Sequence, residues 1–135
     1  FEVDPDIVDR GLRGHAATQN ALANFLIAHG IEPLSPNPGE PSFDIAWSCN
    51  EVLWVAEIKS TTRENEEKQL RLGLGQVLRY RQQLQQISPI VNAVLAVEHQ
   101  PIDKMWIDLC SQVGVLLVWP DSLQNLLSVA VRNRE

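Results

Sequence analysis

Taken as a succession of apolar and polar positions, the chain divides into four stretches of helical periodicity and four that alternate or run continuously apolar. Pro5 and Asp6 open the first helical stretch, from about Ile7 to His29, whose stripe includes Leu12, Leu22, Phe25 and Leu26 and which Gly30 ends. His15 and Gln19 lie on that stripe, because 15, 19, 22 and 26 follow at steps of four, three and four. The segment Glu32 to Pro41 carries Pro33, Pro36, Pro38 and Pro41 with Asn37 and Gly39 and is expected to be a loop. In S-F-D-I-A-W, Phe43, Ile45 and Trp47 alternate with Asp44 and Ala46, predicting a strand with Asp44 on its less apolar side. Cys49, Asn50 and Glu51 turn the chain into V-L-W-V-A-E-I-K. A long helix is predicted from about Glu64 to Ile87, with Leu70, Leu74, Val77, Leu78 and Leu84 on its core face. Strand Ile90 to Val97, a helix from Pro101 and Asp103 through Cys110, strand V-L-L-V-W to Pro120 and a helical tail from Asp121 complete the order, with the final R-N-R-E expected to fray. This order calls for an α/β domain: a central mixed four-stranded sheet flanked by helices on both faces.

The stretch Val52 to Lys59 organises the rest. Six of its eight residues are apolar, as in a strand buried on both faces, yet Glu57 and Lys59 interrupt it. Alternation puts those two on one face, roughly 6 to 7 Å apart, with Leu53 and Val55, while Val52, Trp54, Ala56 and Ile58 face the other way. A charge in such a place is costly without a partner or a use. Hairpin pairing can supply Asp44 as that partner in one register. Inside the long helix, Gly73 and Gly75 each cost about 1 kcal/mol relative to Ala, so at least one is expected to admit a close neighbour or ligand.

Composition narrows the classes. The chain has 135 residues, 44% of them hydrophobic, enough for one domain over residues 1–135; starting at Phe1 rather than Met, it is also compatible with excision from a longer protein. With 17 acidic residues against 11 Lys and Arg, the net charge of −6 has the wrong sign for coating nucleic acid by bulk electrostatics, so any such binding must use a local patch. Cys49 and Cys110, without metal-binding spacing, exclude a zinc ribbon or iron-sulfur cluster and suit free thiols in a reducing cytoplasm, with one disulfide as the alternative. No apolar run approaches membrane-spanning length.

Asp44, Glu57 and Lys59 form a D…E-x-K arrangement that resembles the PD-(D/E)XK nuclease superfamily. Gly11-x-x-x-His15 in the first helix and Gln76-x-x-x-Tyr80 in the second are similar to further motifs of its RecB-type branch, which includes nucleases of CRISPR adaptation. The resemblance spans Gly11 to Tyr80; Phe43 stands where the superfamily name has Pro, and the cysteines of the iron-sulfur members are missing. It implies a restriction-endonuclease-like fold and a metal-dependent DNA endonuclease or exonuclease in restriction, repair or mobile-element defence. On that resemblance His15, Asp44 and Glu57 bind Mg²⁺ or Mn²⁺, Lys59 assists the attacking water, Gln76 orients Lys59 or that water, and Tyr80 lies near the substrate backbone. The residue types suit the chemistry. Carboxylates hold a hard cation, the cation activates water and phosphate, and an ammonium offsets developing charge.

More ordinary readings stand beside these. His15 could be a hydrogen-bonded structural residue, and Glu57 with Lys59 a cross-strand ion pair. Of the nearby cations, Lys68 and Arg79 point away from the core, while Arg71 and Arg81 are candidates to reach a phosphate, Arg81 equally to pair with a buried acid. Trp47, Trp54, Trp106 and Trp119 are expected in the core rather than as stacking platforms. DNA is the expected partner, with a homodimer or partner subunit supplying specificity. The rival class is a catalytically degenerate nuclease fold that serves as a binding or assembly module.

Overall fold

A computed structural model of the chain describes residues 4–132, and residues 129–132 by their backbone alone. Helix α1 (Pro5–Ala28) is capped by Asp4, one residue pair earlier than Asp6, with Asp4 Oδ1 accepting from the Asp6 amide at 2.9 Å. Gly30, at φ 73°, closes it, and the Ile31 amide reaches back to the Leu26 carbonyl at 2.9 Å. Strands β1 (Ile45–Cys49) and β2 (Val52–Lys59) are joined by Asn50 and Glu51 alone, both at positive φ (55° and 67°). That two-residue turn matches the twist of the strands it connects. Cys49, expected in the turn, instead pairs with Val52.

Helix α2 (Glu66–Leu84) is shorter than expected at both ends. Thr62 and Asn65 hydrogen-bond each other's amides through their side chains (2.7 and 3.2 Å), a local turn that delays the helix past Glu64. At the other end the chain turns ahead of Pro89, before which helical backbone is disfavoured. Strand β3 (Val91–Val97), helix α3 (Met105–Gln112), strand β4 (Val115–Val118) and helix α4 (Asn125–Arg132) follow. A single 3-10 turn at Pro120–Ser122 interrupts the expected tail helix. Of the R-N-R-E end, residues 133–135 lie outside the described residues.

The sheet runs β1-β2-β3-β4, with β1 and β2 antiparallel and the other pairs parallel, flanked by helices on both faces as in a restriction-endonuclease-like fold. On one face Leu70, Val77 and Leu84 of α2, with Trp106 and Cys110 of α3, pack on Val55, Ala93, Leu95, Val97 and Leu117. On the other, Leu22 and Leu26 of α1 and Leu126 of α4 cover Trp47, Trp54, Ala56, Ile58, Val94 and Val118. Trp47 and Trp54 are cross-strand partners, stacked with ring centroids 5.7 Å apart. Both cysteines are free thiols. No helix among the described residues is long and apolar enough to cross a membrane.

Two apolar positions depart from the expected pattern. Leu12 is 66% exposed, because the stripe that meets the sheet runs through Gly14, Thr18, Leu22 and Leu26. Phe43 joins the α2 side of the core while Ile45 and Trp47 face α1, since the chain bends at Asp44 and β1 begins only at Ile45. The proline-rich segment also holds an isolated bridge, Leu34 to Ala46, on the outer side of β1.

Candidate metal centre

The central place of β2 explains the burial of Glu57. Hydrogen-bonded to β1 on one side and β3 on the other, and covered by helices on both faces, β2 leaves the Glu57 side of the strand little solvent, and the residue is 5% exposed. Pairing of Ile45 with Ala56 sets Asp44, the next residue outward, beside Glu57. The register permitted by the sequence is therefore the one formed. Asp44 is fixed at both ends: its Oδ2 accepts from the Ile58 amide at 2.7 Å, and its carbonyl accepts from Gln19 Nε2 at 3.2 Å. From α1, His15 Nε2 comes within 3.2 Å of the same Oδ2.

His15, Asp44 and Glu57 each offer a ligand atom, and these atoms lie within 4.8 Å of one another. This group could hold a metal ion. Its fit to a cation rests on more than proximity, because Glu57 Oε2 is buried without a hydrogen-bond partner. Native structures rarely leave a buried carboxylate oxygen so. The donor set of two carboxylates and one imidazole suits a hard to borderline divalent ion.

The electrostatics separate the two acids. Burial pushes the Glu57 carboxyl up to about 8, and its hydrogen bond to the Asp44 anion and that anion's charge push the same way; Lys59 and Tyr80 pull against them. Burial also works against the Asp44 anion. There the hydrogen bonds from Glu57 and the Ile58 amide, with His15 beside it, outweigh burial and hold the carboxyl below its ordinary range. The two acids are thus pushed apart, Asp44 towards its charged form and Glu57 towards its protonated one.

Helix α2 lies against this face. A Cβ on Gly73 would sit 2.6 Å from Leu95 Cδ1 and 2.9 Å from Lys59 Cγ, so only glycine lets the helix backbone lie against the stem of Lys59. The Gly73 expectation is thereby accounted for. One turn further along, Gln76 has a buried Oε1 with no partner, and Tyr80 lies near enough to Glu57 to favour its carboxylate. Burial raises the Tyr80 hydroxyl above its usual range, as does the charge of Glu57. Gln69 Nε2 holds the Ser60 carbonyl at 2.9 Å, steadying the strand end that carries Lys59.

Two expected substrate-binding residues stand elsewhere. Arg71 pairs with Glu67 at 3.0 Å and lines a groove between α2 and α3. Arg81 donates to the Val113 and Gly114 carbonyls at 3.0 and 2.9 Å, closing the C-terminal end of α3, and so neither faces the cluster nor pairs with a buried acid. Unpaired carbonyls at a helix end attract a guanidinium, and nothing in the order of residues foretells which helix end will be near. Gln19 and Gly14 gained no role from the sequence. The stripe pattern already placed Gln19 beside His15, but its partner is a backbone carbonyl, which carries no sequence signal. Gly14 gives way to the Glu98 carboxylate, which a Cβ would approach to 2.5 Å and which accepts from the Thr61 amide at 3.1 Å. Comparison of the chain with protein-family models, with curated proteins and with solved structures found no match.

Proposed function

We propose that the chain is a divalent-metal-dependent deoxyribonuclease that hydrolyses phosphodiester bonds, acting in restriction, repair or mobile-element defence. The observation that carries this reading is Glu57 Oε2, buried and unpartnered in a group with His15 and Asp44 and two residues from Lys59 on the same strand face. His15, Asp44 and Glu57 would hold Mg²⁺ or Mn²⁺, and the imidazole tilts the preference towards Mn²⁺. The ion would polarise the phosphate and lower the pKa of water. Lys59 places an ammonium on the face where negative charge develops, and its stem is held by the approach of Gly73. Gln76, with an unpaired Oε1, orients Lys59 or the attacking water, and the Tyr80 hydroxyl contacts the phosphate backbone. DNA is the substrate; with a net charge of −6, its grip is local, and a homodimer or partner subunit supplies specificity. Two free thiols support a cytoplasmic setting.

One observation favours a second reading, a degenerate nuclease fold that binds or assembles. Arg71 and Arg81, the two arginines expected to reach a phosphate, are engaged away from the cluster. Calorimetric titration of Mn²⁺ and Mg²⁺, with Asp44→Ala as control, separates the two. The nuclease reading expects saturable binding that the control loses, and cleavage of DNA that Lys59→Ala reduces by about 10² to 10³-fold while it keeps metal binding. Absence of binding with and without DNA favours the assembly module, and full cleavage by Lys59→Ala sinks the proposed role of that residue.

A further inference from the structure

Gly75 is the feature that the candidate metal centre leaves unused. It lies in the middle of α2, where glycine costs helix stability, yet a Cβ added there would meet nothing within 4 Å. No contact within the described residues requires it. Its backbone lines a groove of about 760 Å³ between α2 and α3, floored by Leu74, Leu78, Trp106 and Leu109. Met105, on the same groove, is 74% exposed and Leu109 41%.

We propose that this groove receives a basic amphipathic α-helix of a partner protein, its backbone crossing α2 closely at Gly75. The α2 residues along it, Glu67, Arg71, Leu74, Gly75 and Leu78, recur at helical spacing over twelve positions, about 16 Å of helix from first to last. That length suits three turns of a docked helix with apolar anchors at i, i+4 and i+7. The charge of the partner follows from the rim. Glu67, Asp103 and Asp108 oppose one cation, Arg71, which Glu67 already holds, so the lining carries a net −2 (three acids less one base). A helix with Lys or Arg flanking its apolar face complements that rim. A second copy of the chain is a poorer fit. Around the exposed apolar residues Val8 and Leu12 of α1, Asp6 and Asp9 balance Arg10 and Arg13, with Asp9 and Arg13 paired at 3.6 Å, so the face carries no surplus positive charge.

The test uses the whole chain and two fluorescently labelled 16-residue peptides, both with a helical Leu stripe, one flanked by Lys and the other by Glu. Saturable binding of the Lys peptide, at least tenfold tighter than the Glu peptide, is expected. Gly75→Leu should abolish it, and Asp108→Lys should weaken it severalfold. Thermal melts check the fold of each variant, and Met105→Glu, at an exposed position, gives an independent block. Gly75→Ala supplies a readout that a merely structural glycine would not give, a higher melting temperature together with weaker peptide binding. Failure of both peptides to bind, equal binding of the two, or binding indifferent to Gly75→Leu and Met105→Glu overturns the proposal. Self-association of the chain that Gly75→Leu removes would also overturn it, by assigning the groove to a second copy.

Discussion

Gly73 and Gly75 stand two residues apart on α2, and their surroundings are opposite. At Gly73 a Cβ would collide with Leu95 and Lys59; at Gly75 it would enter open space. One glycine lets the helix settle on the strand that carries the candidate centre. The other lies on the turned-away flank, where nothing among the described residues comes close. The same residue type at nearly the same place in a helix thus answers two different demands, and only the tertiary surroundings tell them apart. The contrast extends to the two faces of α2. On its sheet side lie buried polar groups without partners, Glu57 Oε2 and Gln76 Oε1, whereas the groove that α2 shares with α3 exposes apolar groups, Met105 and Leu109 of α3 among them.

The largest expected difference between these faces is in their response to pH. Glu57 titrates at about 8 in the folded protein against an ordinary 4.5, so the native state holds a proton that the unfolded chain releases between those values. Stability from this group is complete below about pH 4.5 and is lost as pH rises through 8, with a slope on the order of 1 kcal/mol per pH unit. Thermal melts of metal-free protein from pH 5 to 9 should therefore show a falling melting temperature. Glu57→Gln should flatten the curve, while changes on the outer face such as Asp108→Asn leave it in place. A wild-type curve that is flat over this range would contradict the raised Glu57 carboxyl.

Next in size is Gly73→Ala. Its methyl group meets the Lys59 stem and Leu95 at distances that force a shift, which should destabilise the fold by about 1 to 3 kcal/mol in denaturant titration. Displacement of Lys59 should lower any cleavage by more than the loss of folded protein accounts for. The smallest effect has the opposite sign: Gly75→Ala should stabilise by up to about 1 kcal/mol, since it gains helix propensity and meets no obstacle. Equal tolerance of the two substitutions would remove the distinction between the faces.

How much of this was legible in the chain differs by the kind of signal. Alternation along β2 separated Glu57 and Lys59 from Ile58 and Trp54, because period two is a property of any strand and needs no tertiary knowledge. The short link between the strands made the Asp44 register accessible for the same reason. Leu12 misled because the stripe that meets the sheet runs through Gly14, Thr18, Leu22 and Leu26, so a residue can belong to the apolar count and still point into water from the opposite face. Phe43 misled because one bend at Asp44 breaks the alternation that its place implied. The settings of Arg81 and Gln19 were beyond reach: both donate to backbone carbonyls, which every residue possesses.

The hairpin turn at Asn50 and Glu51 also limits how the chain can change in length. A two-residue link fixes which residue of β1 meets which of β2, and the pairing counts outward from Cys49 and Val52 to Asp44 and Glu57 at the far end. A single residue inserted in either strand would turn one carboxylate to the opposite face unless a bulge absorbed it. Paired insertions, one residue in each strand, would also carry both carboxylates across the sheet together, away from Tyr80. Only lengthening by two residues in each strand restores their side, and it moves them a full pleat from His15. The distance between turn and carboxylates therefore behaves as a fixed gauge, whereas the loop before Phe43, outside that count, is free to grow or shrink.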